Sequence, residues 1–234
     1  MEGPVLEVIV GPNKRGTTET WFLPKSLLSH HSTFFRSACN SQFKEGIESR
    51  MTLPNDNPGA FIRFVEWMYL GEVYLAKHDV GYEGGYRLVD WWILADKLGA
   101  EGFADYAMQA LYAFYLRETK SLFEPELNLS LLEDVLDYTT ASSKLRLFFT
   151  HVLIAYWDDR RVNLTKHREH EDTNTMAWDD IFDNEKDFRD TLLGGLLQSA
   201  PKRYEAFVGV EKYLHSPINK DESVKKKMKD YFLK

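Results

Sequence analysis

The chain has 234 residues and a mass of 27.3 kDa, which fits one large domain or two small ones. Hydrophobic residues make up 44% of the sequence, which is enough to build a core and excludes disordered and collagen-like classes. The formal net charge of -7 argues against direct nucleic-acid binding, because phosphate neutralisation needs clustered basic side chains. A single cysteine, Cys39, can form neither an internal disulfide nor a cysteine-based zinc site.

The sequence predicts an intracellular protein, either cytoplasmic or nuclear, with no membrane partner. Met1 to Pro4 lack the basic and apolar segments that open a targeting peptide. The strongest apolar run, Leu145 to Trp157, includes Arg146 and His151 and is shorter than the roughly 20 residues of a membrane span. We therefore expect this run to form a buried helix.

The first part of the chain predicts a small sheet with helices. Val5 to Val10 and Glu19 to Leu23 are strand-like runs joined by a polar turn, which indicates a hairpin. Two short helices follow, the second capped by Ser32, whose hydroxyl can accept a backbone N–H. Met51 to Leu53 is the predicted third strand.

The clearest helix signal lies in the next segment. Asn57 is its predicted cap, Pro58 occupies the first helical position and Gly71 ends it. We expect a short strand at Val73 to Leu75 and then a loop at Gly81 to Gly85.

Helical periodicity dominates the rest of the chain, and beyond about residue 120 no further strand is predicted. The charged stretch from Asp158 to Asn174 lacks periodicity and is expected to be a surface loop. The fold class is therefore α+β, with the strands near the N-terminus. The helical patterns run over Leu88 to Leu98, Phe103 to Phe114, Leu131 to Tyr138, Leu145 to Tyr156 and Phe188 to Leu196.

The stretch from Val5 to Tyr115 contains a series of short motifs in a fixed order. After the hairpin, the motifs are Lys25 to Leu28, His31 to Arg36, Phe43 to Glu45, Leu53 to Pro58 and Trp67 to Val73. In this order they resemble the BTB/POZ domain in the form common among fungal proteins. The resemblance implies a BTB/POZ fold over residues 1–120, with a small, mainly N-terminal β-sheet flanked by helices.

Residues 121–234 are expected to form an all-helical C-terminal extension packed on, or linked to, that domain. Val135 to Thr139 and Ser143 to Arg146 are similar to pieces of the extension that many fungal BTB proteins carry. We expect the helices to pack on the BTB-like half, because no other element covers the apolar face centred on Phe148 and Val152.

The resemblance implies a non-enzymatic protein-interaction module, an adaptor or scaffold that binds other proteins or itself. The chain begins a few residues before its first strand, so we expect any homodimer to form without exchange of an N-terminal strand. The alternative is a substrate adaptor of a cullin-based ubiquitin ligase, because one branch of the family bridges substrates to cullin scaffolds.

Cullin-binding relatives carry a hydrophobic-x-Glu motif ahead of the third strand. Phe43-Lys44-Glu45 has the composition of this motif. The alternative to a binding role for Phe43 is that its side chain packs beneath the adjacent loop. The predicted protein-binding residues are Phe43, Lys44, Glu45, Ile47 and Glu48.

We predict no catalytic, cofactor-binding or metal site. Gly11 to Thr18 has the glycine spacing of a phosphate loop, but Thr17 stands where the essential lysine would be. His167 to Glu171 and Lys225 to Lys229 are best interpreted as solvated polar segments. Cys39 is expected to be a small buried hydrophobe near a helix end.

A different class of function would be a small-molecule-binding protein or an enzyme with a pocket between the two halves. Its only basis is the aromatic content at Trp91, Trp92, Trp157 and Trp178, which are residues usually found in cores. Transcriptional control is a third alternative, although the sequence has no recognisable DNA-reading module.

Overall fold

A computed structural model describes residues 3–12, 16–40, 48–74, 84–116, 127–157, 162–163 and 178–216. The strands are β1 (Val5–Val10), β2 (Glu19–Pro24), β3 (Arg50–Leu53), β4 (Leu127–Asn128) and β5 (Val162–Asn163). The helices are α1 (Lys25–His31), α2 (Thr33–Asn40), α3 (Pro58–Leu70), α4 (Gly84–Lys97), α5 (Glu101–Tyr115), α6 (Leu129–Tyr138), α7 (Lys144–Tyr156), α8 (Trp178–Asn184), α9 (Lys186–Leu196) and α10 (Ala200–Phe207), followed by a 3-10 turn (Val210–Tyr213).

The first three strands form one sheet in the order β2-β1-β3. β1 pairs antiparallel with β2, where Glu7 lies opposite Phe22, and parallel with β3, where Glu7 lies opposite Arg50. Leu6 and Val8 alternate with more exposed residues and are fully buried, as expected for a sheet with one face on the core. The predicted hairpin, third strand and α+β class are confirmed.

The chain divides into two compact units. The first comprises Met1–Ala76 and Asp90–Ala107, and the second comprises Lys77–Val89 and Met108–Lys234. The division falls within α4 and α5, so each of these helices contributes residues to both units. The domain boundary at residue 120 stays a prediction.

Aromatic side chains fill the core of the first unit. Phe61 and Phe64 on α3 are fully buried, and the Phe64 ring lies 5.4 Å from that of Phe103 on α5. Trp21 of β2 packs on Phe61 with ring centroids 4.9 Å apart, which ties the sheet to α3.

A junction between α2 and the end of α4 closes this core. The N–H groups of Thr33 and Phe34 donate to the carbonyls of Gly99 and Leu98, so the start of one helix satisfies the end of another. Gly99 has φ +56°, and a Cβ there would clash with Thr33 Oγ1. Glycine is therefore required at this position.

The second unit is built around α7, whose Phe148 contacts several aromatic rings. The rings of Phe207 and Tyr213 lie 5.9 and 5.2 Å from that of Phe148, and Val152 is also buried. The premise that no other element covers the face of Phe148 and Val152 is therefore wrong, because α10 and the 3-10 turn of the same unit cover Phe148.

Two predictions on either side of residue 80 need correction. Val73 and Tyr74 are not in a strand, because side chains satisfy their backbone: their N–H groups donate to Tyr106 Oη and Glu66 Oε1. Leu75 and residues 81–83 lie outside the described residues.

Gly84 and Gly85 open α4 instead of ending a loop. A Cβ on Gly85 would lie 3.3 Å from Tyr115 Oη and 3.4 Å from Leu131 Cδ2. The missing side chain therefore lets α4 pack closely against these two residues.

The prediction of no strand beyond residue 120 is also wrong. β4 and β5 pair in parallel, with Leu127 opposite Val162. Strands of two residues are too short for alternation to reveal. The rest of the predicted loop from Asp158 to Asn174 lies outside the described residues.

The helical predictions at Asn57 to Gly71, Leu88 to Leu98 and Leu145 to Tyr156 are confirmed by α3, α4 and α7. Within the part of the chain that the structure describes, no helix combines the length and apolar character needed to cross a membrane.

Candidate protein-interaction surface

Both ends of α3 are fixed by local hydrogen bonds. Asn57 Oδ1 accepts the N–H of Gly59 at 2.8 Å, and Asn57 Nδ2 donates to Asp90 Oδ2 at 2.9 Å. Gly71 has φ +71° and donates its N–H to Trp67 O, which ends the helix. The helix is therefore held in one orientation within the first unit.

The inner face of α3 is buried in the aromatic core, and its border carries Trp67. The half-buried Trp67 ring packs on the edge of His31, with centroids 5.1 Å apart. Burial, followed by the neighbouring charge of His30, lowers the pKa of His31. Neutral His31 therefore adds no charge beside Trp67 at pH 7.

The outer face of α3 and the residues after it carry large apolar side chains in contact with solvent. Ile62 is 46% exposed, Tyr69 50%, Leu70 66% and Tyr74 65%. Ile62 and Tyr69 lie about two turns apart on one side of the helix, and Leu70 flanks them. We call Ile62, Tyr69, Leu70 and Tyr74 the α3 surface.

Hydrogen bonds position the segment that carries Tyr74. Its N–H donates to Glu66 Oε1 at 2.8 Å, and Arg63 Nη1 donates to Glu66 Oε2 at the same distance. Tyr106 Oη accepts the N–H of Val73 at 3.0 Å. The α3 surface therefore combines apolar side chains with a paired Arg63 and Glu66, which suits burial against another protein more than chemistry on a small molecule.

Most of the predicted protein-binding residues lie outside the described residues. Glu48 is exposed, and its charge helps to raise the pKa of Arg50 after the larger contribution of the hydrogen bond from Arg50 to Glu7. The predicted residues that the structure does not describe are Phe43, Lys44, Glu45 and Ile47.

Where the structure describes them, the other sequence candidates form no recognisable site. The described parts of Gly11 to Thr18 connect β1 to β2. Cys39 is half-buried in the last turn of α2, not buried as predicted, because α2 buries only Phe35 fully. His167 to Glu171 and Lys225 to Lys229 lie outside the described residues, among which no cluster of metal-binding side chains occurs.

The tryptophans cited for a pocket have different environments. Trp91 and Trp92 are buried core residues of the first unit. Trp157 and Trp178 are half-buried in the second unit, where their rings lie 5.7 Å apart.

A family model for the BTB/POZ domain matches residues 16–83, a range that includes β2, α1, α2, β3 and the whole α3 surface. This part of the chain is a BTB/POZ domain. The match covers less than a third of the chain, and no curated protein matches the sequence. The fungal type proposed from the sequence stays a prediction.

The exposed apolar face of α3 was not predicted from the sequence, although the helix itself was. The buried residues of α3, including Phe61 and Phe64, repeat at helical spacing, but single exposed apolar residues are common on protein surfaces. The sequence signal that could have indicated this face is the spacing of Ile62 and Tyr69. These two apolar residues are about two helical turns apart, on the side of α3 opposite the core. The contribution of Tyr74 depends on its hydrogen bond to Glu66, which periodicity cannot reveal.

Proposed function

We propose that this chain is a non-enzymatic adaptor or scaffold whose BTB/POZ domain binds a partner protein through the α3 surface. A BTB/POZ domain indicates a protein–protein interaction module. The observation that carries the proposal is the grouping of Ile62, Tyr69, Leu70 and Tyr74 in solvent within that domain.

The composition of the α3 surface suits a binding core. Tyrosine buries a large ring with little loss of side-chain freedom and keeps a hydroxyl for hydrogen bonding. Burial of the aliphatic side chains of Ile62 and Leu70 against a partner makes the free energy of binding more favourable. The paired Arg63 and Glu66 supply a polar element beside these residues, as is common at protein interfaces.

The test is quantitative affinity purification of the full-length tagged protein from its native cells. A Tyr69→Ser/Leu70→Ser variant removes two apolar side chains of the α3 surface, and we expect at least a tenfold loss of the captured partner. The matched control is Tyr138→Ser/Leu197→Ser, which removes two exposed apolar side chains outside the matched BTB/POZ region.

The proposal requires that the control double variant captures the partner as the wild type does and that both variants melt near the wild-type temperature. Retention of every partner by a folded Tyr69→Ser/Leu70→Ser variant would contradict it. Equal loss in both double variants would also contradict it, because the effect would then not be specific to the α3 surface.

A more specific proposal is that the partner is a cullin and the chain is a substrate adaptor of a ubiquitin ligase. Phe43-Lys44-Glu45 supports it, because this segment has the composition of the cullin-binding motif and precedes β3. We expect the purified chain to bind a cullin N-terminal domain, and Phe43→Ala/Glu45→Ala to abolish binding. Absence of binding at tens of micromolar would exclude this role and leave the adaptor proposal intact.

The alternative of an enzyme or small-molecule-binding protein has weaker support, because Trp91 and Trp92 are already used in the core of the first unit. A thermal-shift screen against nucleotides, divalent metals and common metabolites discriminates between the classes. We expect no stabilisation, and a concentration-dependent rise in melting temperature would favour this alternative.

A further inference from the structure

The end of α9 carries two leucine side chains that face solvent. Leu193 is 46% exposed and Leu197, in the residue that follows the helix, is 87% exposed. The two leucines are four residues apart and lie on one side of the helix, whereas Phe188 and Leu192 are buried on its inner side. A Cβ on Gly194 would meet nothing within 4 Å, so the backbone between the leucines is open to close approach.

Exposed carboxylates precede these leucines on α9. Asp187 is exposed in the first turn, and the Asp190 side chain is 69% exposed although Arg189 Nε donates to it at 3.0 Å. Residues 178–197, which include α8 and α9, hold six acidic and two basic residues. We call Asp187, Asp190, Leu193 and Leu197 the α9 surface, which is negatively charged at one end and apolar at the other.

The sequence of residues 224–234 is complementary to this surface. It holds five basic residues and one acidic residue. Val224, Met228 and Phe232 recur every four residues, which is the spacing of one apolar helix face. These residues lie outside the described part of the chain, which ends at Ser216.

We propose that residues 224–234 bind the α9 surface of the same chain as an amphipathic helix. Their apolar side chains pack on Leu193 and Leu197, which removes both leucines from water. Their lysines lie beside Asp187 and Asp190. The contact belongs to the second unit and does not depend on the function of the α3 surface.

The fold of the second unit brings the start of this segment close to α9. His151 Nδ1 bonds to Tyr213 Oη at 2.9 Å, and Gly195 packs so closely on Ile154 that a Cβ there would clash. His151 and Ile154 are three residues apart on α7, so the 3-10 turn and the end of α9 pack on the same helical turn. The seven residues 217–223 can span up to about 25 Å, which exceeds the roughly 15 Å from Asp187 to Leu197.

Spacing and charge select a parallel arrangement. The leucines of the α9 surface are four residues apart, as are Met228 and Phe232, so the two pairs can be set side by side. With the helices parallel, Lys225 lies opposite Asp190, within one turn of Asp187. With the helices antiparallel, residues 225–227 would lie beyond the end of α9 and away from its carboxylates.

The first test is amide hydrogen exchange of residues 224–234 in the full-length protein, measured by mass spectrometry. We expect slowed exchange in the wild type and roughly tenfold faster exchange in Leu193→Ser/Leu197→Ser, because the apolar contact is lost. The matched control is Ile62→Ser/Leu70→Ser, which removes two exposed aliphatic side chains from the first unit and should exchange as the wild type does.

Two results of this exchange experiment would overturn the proposal. One is exchange of the wild-type segment at the rate of an unprotected chain. The other is unchanged protection in a folded Leu193→Ser/Leu197→Ser variant, because the segment would then be bound elsewhere.

A charge-reversal pair tests the register. Asp190→Lys and Lys225→Glu should each speed exchange by roughly threefold, and the double variant should return to within about twofold of the wild type. Lys226→Glu is the control for Lys225→Glu, since it reverses a charge on the side of the segment away from its apolar face, and its effect should be smaller. Failure of the double variant to recover protection would contradict the parallel register.

Dilution separates binding within one chain from binding to a neighbouring copy. A contact within the chain has a fixed effective concentration, so we expect the same protection across a roughly fiftyfold range of protein concentration. Protection that rises with protein concentration would show that the segment occupies a second copy and would overturn the proposal.

Discussion

The hydroxyl of Ser32 makes two hydrogen bonds in a fully buried position. It accepts the N–H of Phe35 at 3.1 Å and donates to the carbonyl of Leu98 at 2.6 Å, while Ser32 is only 1% exposed. The capping bond was predictable because it is local in sequence. The bond to Leu98 was not, because it joins residues that are 66 positions apart.

We predict that Ser32→Ala lowers the free energy of unfolding by about 2–3 kcal/mol, because it leaves a buried N–H and a buried carbonyl without this partner. Urea denaturation measures the loss. Ser26→Ala, at an exposed position of α1, is the control and should cost less than about 0.5 kcal/mol. Similar losses in both variants would show that the buried pair of bonds is not the cause.

At the scale of elements, Arg146 joins three parts of the second unit. Its guanidinium donates to the carbonyls of Leu136 and Thr139 at the end of α6 and forms an ion pair with Glu185, between α8 and α9. The Arg146 side chain is 8% exposed, so these bonds lie largely out of water. One arginine on α7 thereby satisfies carbonyls that the end of α6 leaves without helical partners.

We expect Arg146→Met to reduce the free energy of unfolding by about 3–4 kcal/mol, because the carbonyls and Glu185 lose their shared partner. Arg146→Lys should restore only part of the loss, since an ammonium group cannot reproduce the planar fork. Chemical denaturation gives both values.

The matched control for Arg146 is Arg189→Met, which removes an arginine that is paired with the exposed Asp190 and donates one long hydrogen bond, to Phe182 O at 3.3 Å. It should cost less than about 1 kcal/mol. If Arg146→Met and Arg189→Met have equal effects, the joining role of Arg146 is excluded.

Long periodic elements were predictable from sequence, whereas short or side-chain-dependent elements were not. The apolar repeat and the caps of α3 gave its limits from Asn57 to Gly71. The β4–β5 pair is only two residues long, and Val73 resembles a strand residue although Tyr106 satisfies its N–H. Sequence patterns record which residues are apolar, but not which distant side chain completes a backbone hydrogen bond.

At the scale of the whole molecule, His151 makes stability depend on pH. Tyr213 donates its single hydroxyl hydrogen to Phe207 O, so His151 Nδ1 donates to Tyr213 Oη at 2.9 Å. Burial and the nearby charge of Lys212 lower the pKa of His151 to about 4. The folded protein therefore holds this ring neutral at pH values where the unfolded chain protonates it.

Because the folded pKa is below the unfolded value of 6.5, the stabilisation is complete above pH 6.5 and is lost as the pH falls towards 4. Partial exposure screens the charge, so we expect His151 to account for about 1–2 kcal/mol over this window. His151→Asn keeps a donor for Tyr213 but cannot titrate, and it should flatten this part of the stability profile. Urea denaturation at several pH values measures the change.

If the pH profile of stability in His151→Asn is the same as in the wild type, His151 is not the source of the pH dependence. The location of such a residue could not be predicted from sequence, since Tyr213 and Lys212 follow His151 only after several intervening helices.

The order of segments in the first unit determines when its core can be completed during synthesis. The ribosome releases β1, β2, β3 and α3 before the segment that contains Leu98 and Gly99, whose carbonyls pair with the start of α2. Until that segment emerges, apolar residues such as Phe61 and Phe64 lack Phe103, which belongs to the same core. The nascent chain therefore exposes the apolar surface of an incomplete core, which is the kind of surface that chaperones bind. A pause in translation between α3 and α5 would prolong the exposure of this surface.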